Sequence, residues 1–227
     1  MIFSEAVVLC PEIQNTVEKN WSFWNVGTNL YFSYGLYPKH EIYGLEMNED
    51  KKLSCSGIKI VEQNESILQK LSKYYSDKLA ISVTTPAIRF NEYEFLGVGH
   101  VKYRYLDEID KFFYTPLYDF TMSIRSSNKI FHDYYIYLMY FYTFDAYGNV
   151  TGISDMFIPQ SDGALCFPSG LTYSNTLDII VSYGDLDNSC NLLFFNNGDV
   201  KKMIKRDNKP ENILFKMLDW LYILKIY

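Results

Sequence analysis

The chain has 227 residues, 48% hydrophobic and 18% aromatic, with a formal net charge of -6. That length and apolar content exclude a disordered chain and allow a sizeable core, as one large β domain or two small ones. A net negative charge without a dense basic block excludes a nucleic-acid backbone as the expected partner.

The 21 Tyr and 16 Phe favour strands, because flat side chains pack well on a pleated surface. Cys10, Cys55, Cys166 and Cys190 form no C-x-x-C pair, so neither a structural zinc nor any other metal or cofactor is expected. Such sparse cysteine use suits a reducing compartment. Met1 to Glu5 lacks the basic region of a signal peptide, and no apolar run reaches the roughly 20 residues that span a bilayer. The expectation is a soluble, cytoplasmic protein.

Taken in order, residues 1–29 hold one short apolar run, Ala6 to Leu9, and then the polar cluster Glu18-Lys19-Asn20-Trp21. Residues 30–47 predict a hairpin that turns at Leu36-Tyr37-Pro38-Lys39, where the proline cannot donate to a ladder. Residues 48–66 read as an exposed, charged excursion. Ser66-Ile67-Leu68-Gln69 has the form of a capping box, and Ile67, Leu68, Leu71, Tyr74 and Tyr75 recur at helical spacing. Strands follow at Leu79 to Val83 and Glu94 to Val101. Gly97 and Gly99 in the second mark a bulge or the close approach of another backbone or a ligand. Residues 107–133 are irregular. Tyr134 to Phe144 has no polar alternation, which predicts a strand buried on both faces between stacked sheets. Asp145 to Asn149 is a turn, with Val150 to Ile158 as the returning strand. Leu165 to Leu171, Leu177 to Tyr183 and Leu192 to Phe195 form a last β unit, closed by Asn196 to Asp199. In the tail, Ile213 to Leu224 is apolar except for Lys216 and Asp219 and predicts a buried docking helix, with a final strand as the alternative.

The segment from Ile179 to Asp187 is echoed upstream by Leu30-Tyr31-Phe32-Ser33-Tyr34-Gly35. With the glycine strand between them, the echo suggests β units beginning about every 50–65 residues, as in propeller blades with insertions. A β-sandwich fits the strand count as well.

Five stretches together resemble the five-bladed β-propeller glycosidases, in particular the mannoside-phosphorylase-like group. They are Glu18-Lys19-Asn20-Trp21, Leu30 to Tyr34, Gly97-Val98-Gly99-His100, Phe167-Pro168-Ser169-Gly170-Leu171 and Ser182 to Asp187. The resemblance spans residues 18–200. It implies a single all-β, propeller-like domain over 1–227, shorter than the family, with one inserted helix and a C-terminal docking segment at 212–227. Blade material falls at about 18–47, 79–147 and 150–200. It also implies a sugar held in a central funnel. Asp187 matches the aspartate that contacts sugar in the enzymes, Asn20 and Trp21 match a polar–aromatic pair facing the same funnel, and His100 follows the glycine strand toward it. The family's proton donor lies in a Glu-Asp-Pro-Arg motif, which this sequence lacks.

Glycoside cleavage needs two carboxylates across the bond, or an acid and a phosphate site. By position, Glu18 and Asp155 are the catalytic candidates, with Asp187 as a substrate ligand. Each also has a plain reading, as a solvated loop acid, a strand-end residue and a turn residue respectively. Trp21 stacks on a sugar or fills a blade interface. His40, His100 and His132 lack metal-ligand spacing and read as structural. The functional expectations are therefore a carbohydrate-active enzyme, a non-catalytic glycan-binding module, or an interaction domain that uses 213–224 for a protein partner or for self-association.

Overall fold

The structure is a computed structural model that describes residues 20–36, 40–47, 53–61, 79–104, 135–154, 157, 159, 166–185 and 189–205. The run at 6–9, the helix expected from Ser66 to Tyr75, the segment 107–133 and the tail at 212–227 lie outside the described residues.

The described chain is all-β apart from one short helix, and its strands form three antiparallel sheets. The first sheet is a meander of β1 (Ser22–Val26), β2 (Asn29–Gly35), β3 (His40–Met47) and β4 (Leu53–Val61). The hairpin expected at 30–47 is β2 with β3. The excursion expected at 48–66 is corrected over its middle: β4 pairs with β3 from His40↔Val61 to Met47↔Leu53. As the last strand of its sheet it exposes Ser54, Gly57 and Lys59, and such a polar face reads like a loop in sequence.

The middle sheet contains β5 (Leu79–Val83), β6 (Ile88–Arg89), β7 (Glu94–Arg104), β8 (Tyr135–Asp145) and β9 (Val150–Ser154). The β7–β8 ladder runs for eleven residue pairs, from Glu94↔Asp145 to Arg104↔Tyr135, and forms its spine. The third sheet is a meander of β10 (Cys166–Tyr173), β11 (Ile179–Asp185) and β12 (Ser189–Phe195). The closing turn expected at Asn196 to Asp199 is instead the start of α1 (Asn197–Met203). Asn196 caps it by accepting from the Gly198 N–H at 2.9 Å. The chain then returns as β13 (Ile204–Lys205) to pair with β9, on the outer edge of the middle sheet.

The sheets stack face to face in chain order. Toward the first sheet, β7 and β8 present Phe95 and Phe144, which hold Trp24 at centroid distances of 5.2 and 5.1 Å. Toward the third sheet they present Leu96, Val98, Met139 and Phe141, packed with Leu171, Ile179, Val181 and Tyr183. The unbroken apolar run of β8 is thus explained: Met139 to Phe144 are all buried, because both faces of the strand are covered. The echo also has a structural counterpart. Ser33-Tyr34-Gly35 ends the second strand of one meander, and Ser182-Tyr183-Gly184 stands just before the last residue of the second strand of another. Tyr34 lies on the face of its sheet turned away from the middle sheet, with Phe32 and Tyr43, and Tyr183 faces the middle sheet. The two tyrosines therefore point the same way along the stack.

The close approach expected at Gly97 and Gly99 comes from the neighbouring strand. Gly97 pairs with Tyr142 and Gly99 with Tyr140, and a Cβ on either glycine would collide with the tyrosine ring; at Gly99 it would also meet the Ser82 carbonyl, a neighbouring backbone, whereas at Gly97 the approaching group is a side chain. The hydroxyls reach past the glycines: Tyr142 donates to Ser22 Oγ and Tyr140 to the Ser82 carbonyl, both at 3.2 Å. Burial raises the ionisation of both phenols well above the ordinary tyrosine range, so they stay neutral donors. Gly97→Ala is expected to cost about 1–3 kcal/mol in urea unfolding through overpacking. In a Tyr142→Ala background the same change is expected to cost much less, because the colliding ring is gone.

Candidate functional site

Three of the six residues expected to carry function, Glu18, Asp155 and Asp187, lie outside the described residues. The other three fall in two places. Asn20 and Trp21 lead into β1, and His100 sits in the centre of β7.

Asn20 adopts a left-handed backbone conformation, φ 68°, which asparagine tolerates better than most residues. The turn it makes delivers Trp21 to the far face of the first sheet. There the indole stacks on Phe32 at 4.7 Å and 18°, and Phe32 stacks in turn on Tyr43 at 5.0 Å and 7°. Phe23 and Tyr34 flank the indole at tilted angles. Trp21 is half-buried, and its ring N–H has no hydrogen-bond partner. The Trp24 N–H is also unpartnered, but Trp24 is enclosed by Tyr31, Phe95 and Phe144 between two sheets. Both N–H groups are themselves shut off from solvent, although the rest of the Trp21 side chain is partly open.

His100 is buried, with Nδ1 at 2.8 Å from Thr84 Oγ1 and its ring against Tyr137 (5.3 Å) and Phe167 (4.8 Å). It belongs to the packing between the middle and third sheets, whereas the described contacts of Trp21 are all within the first sheet.

The histidine with the most built surroundings is His40, read from the sequence as structural. It is fully buried at the start of β3. Nδ1 lies 2.7 Å from the Gly148 carbonyl and Nε2 2.8 Å from Ser33 Oγ. A carbonyl only accepts, so Nδ1 carries the proton and Nε2 accepts from the Ser33 hydroxyl. A serine, a histidine and an orienting oxygen in a row resemble an activated nucleophile. Ser33 and His40 are both fully buried, however, so no substrate reaches them. The array instead pins the β8–β9 turn to the first sheet. Gly148, at φ 87°, lies against Ile42 with no room for a side chain, and Lys59 donates to the Tyr147 carbonyl with its cation 5.4 Å from the Tyr147 ring. Desolvation lowers the His40 pKa from 6.5 to about 4. The Lys59 charge adds to this, and the Gly148 bond and Asp145 oppose it.

A pair of carboxylates does meet at this end of the middle sheet, since Glu94 stands opposite Asp145 in the β7–β8 ladder. Glu94 is buried; it accepts from Asn91 Nδ2 and from the Thr151 hydroxyl, each at 2.6 Å. Asp145 accepts from the backbone N–H groups of Tyr147 (2.8 Å) and Asn149 (2.9 Å) and from Asn149 Nδ2 (2.8 Å). Asp145 holds its own turn, and Glu94 ties the turn at Asn91 to Thr151 of β9. Among the described residues no three His, Cys, Asp or Glu side chains converge as a metal site, and no helix is long and apolar enough to cross a membrane. Cys55 is disulfide-bonded, whereas Cys166 and Cys190 carry free thiols. Compared with known proteins, the chain matches no family model and no curated sequence.

The His40 array makes the stability depend on pH. The folded-state pKa lies below the unfolded value, so the unfolded chain binds the extra proton first. The contribution is complete above pH 6.5 and is lost as pH falls toward 4, by about 3 kcal/mol for that gap. Urea unfolding of the wild type and of His40→Gln across this range checks it. The variant is expected to start less stable at pH 7 and to lose less on acidification, so the two curves converge.

Proposed function

We propose that the chain is a glycan-binding module built like part of a propeller glycosidase, holding sugar without cleaving it. The observation that supports this most directly is Trp21. A half-buried indole braced by Phe32 offers the partly open aromatic surface that the apolar face of a pyranose needs. Asn20 beside it supplies an amide that donates and accepts. The propeller reading is supported by three antiparallel sheets stacked in chain order and by the two Ser-Tyr-Gly strands facing one way. On this reading Asp187 is a further sugar contact and His100 supports the blade interface. Binding is favoured over turnover because the sequence has no Glu-Asp-Pro-Arg motif and because Asp145 is occupied with its own turn and Glu94 with Asn91 and Thr151.

A glycan array followed by fluorescence titration tests the proposal. The wild type is expected to bind mannosides or related glycans. Trp21→Ala is expected to weaken binding at least tenfold while the protein stays folded at a lowered thermal midpoint, and Asp187→Ala to weaken binding at an unchanged one. Nitrophenyl glycosides, with and without phosphate, are expected to release nothing. A blank array with folded protein would overturn the binding reading, and sugar release would replace it with an enzymatic one.

A further inference from the structure

The far face of the first sheet carries a cross-link whose other end can be named. The chain has four cysteines; Cys55 is disulfide-bonded, and Cys166 and Cys190 carry free thiols. Cys10 is the one that remains. Cys55 stands on β4 opposite Leu45 of β3, packed on the same aromatic cluster that Trp21 joins from the β1 side. These two residues mark opposite margins of the face, since β1 and β4 are the first and last strands of the sheet. Between them lie Phe32, Tyr43 and Leu45. The outer face of an end sheet is ordinarily open to water, yet all three are buried, Phe32 completely.

We propose that Cys10 is the partner of Cys55, and that the bond lays the apolar run Ala6-Val7-Val8-Leu9 over Phe32, Tyr43 and Leu45 as a strap made of the chain's own N-terminal segment. The reach fits. From β1 to β4 is three strand spacings, about 14 Å, and the ten steps of chain from Cys10 to Asn20 extend to roughly 35 Å at most. The chemistry fits too. The run just before Cys10 is wholly apolar and uncharged, like the face it covers, while Glu18 and Lys19 fall in the connection back to β1. A thiol reductant releases the strap. A dithiol gives two electrons and two protons to the sulfurs and closes to its own disulfide, leaving Cys10 and Cys55 as thiols. The face beside Trp21 then opens to solvent. The proposal stands apart from the glycan reading, and its test uses no sugar.

Peptide mapping of the unreduced wild type, with free thiols blocked first, reads the bond. A peptide pair joined through Cys10 and Cys55 is expected, with Cys166 and Cys190 blocked. Hydroxyl-radical footprinting of the full chain reads the strap. Phe32, Tyr43 and Leu45 are expected to be protected in the wild type. Their labelling is expected to rise about threefold in Cys10→Ser and in wild type treated with dithiothreitol, a local opening that leaves Trp24 and Phe144, between the sheets, protected. Val8→Asp combined with Leu9→Asp is expected to raise the same labelling with the bond intact. Cys55 found free, or bonded to any cysteine but Cys10, overturns the proposal. So does a face as protected in both variants as in the wild type. Labelling that rises equally at Trp24 and Phe144 also overturns it, because the bond then holds the whole fold and not a strap.

Discussion

The middle sheet has to be apolar on both of its faces, and the rest of the architecture follows from how it meets that demand. An ordinary sheet of large side chains holds its neighbours about 10 Å away on each side. Here the first sheet approaches across a face where glycine and tyrosine alternate between two strands. Gly97 and Gly99 remove volume, and the Tyr142 and Tyr140 rings take the space. The rings bring their hydroxyls to polar groups beyond the glycines: Tyr142 reaches Ser22 in the first sheet, and Tyr140 reaches the Ser82 carbonyl within the middle sheet. The opposite face has no such device and packs through Leu96, Val98, Met139 and Phe141 in the usual interdigitated way. One sheet thus carries two chemically different interfaces.

A second constraint is that the polar groups trapped between the sheets need partners. The first interface encloses His40, Ser33 and the Gly148 carbonyl, and these satisfy one another only in the neutral tautomer set by the carbonyl. Thr84 answers His100 in the same way, across one strand of the middle sheet. The unpartnered Trp24 N–H stands out against this order. It is ringed by aromatic side chains and lies where the indole is needed for its area alone.

Much of this was legible in the residues. A run such as Tyr134 to Phe144, with no polar alternation, has few places to sit other than between sheets, and paired glycines in a strand announce close approach. The identity of the approaching group was not legible, because Tyr140 and Tyr142 lie more than forty positions away and only the strand register brings them over the glycines. β1 and β4 were missed for opposite reasons: β1 is only five residues long, and β4 carries its polar face outward. His40 reads as a structural histidine, but its partner was not legible, because the Gly148 carbonyl lies more than a hundred residues downstream. The candidate site was legible mainly through resemblance. Trp21 and His100 occupy the same kind of place, aromatic packing, but on different sheets.

The return of β13 to β9 has a consequence for how the chain is made. The middle sheet contributes its strands early, yet its outer edge is closed by two residues that are synthesised only after the third sheet is complete. On the ribosome, therefore, β9 waits with one side unpaired while β10 to β12 emerge, and α1 acts as the arm that carries the closing strand back, with Val200 and Ile204 seated in the shared core. Assembly of the last two layers is in this sense a single event: the third sheet docks and the middle sheet is sealed by the same length of chain.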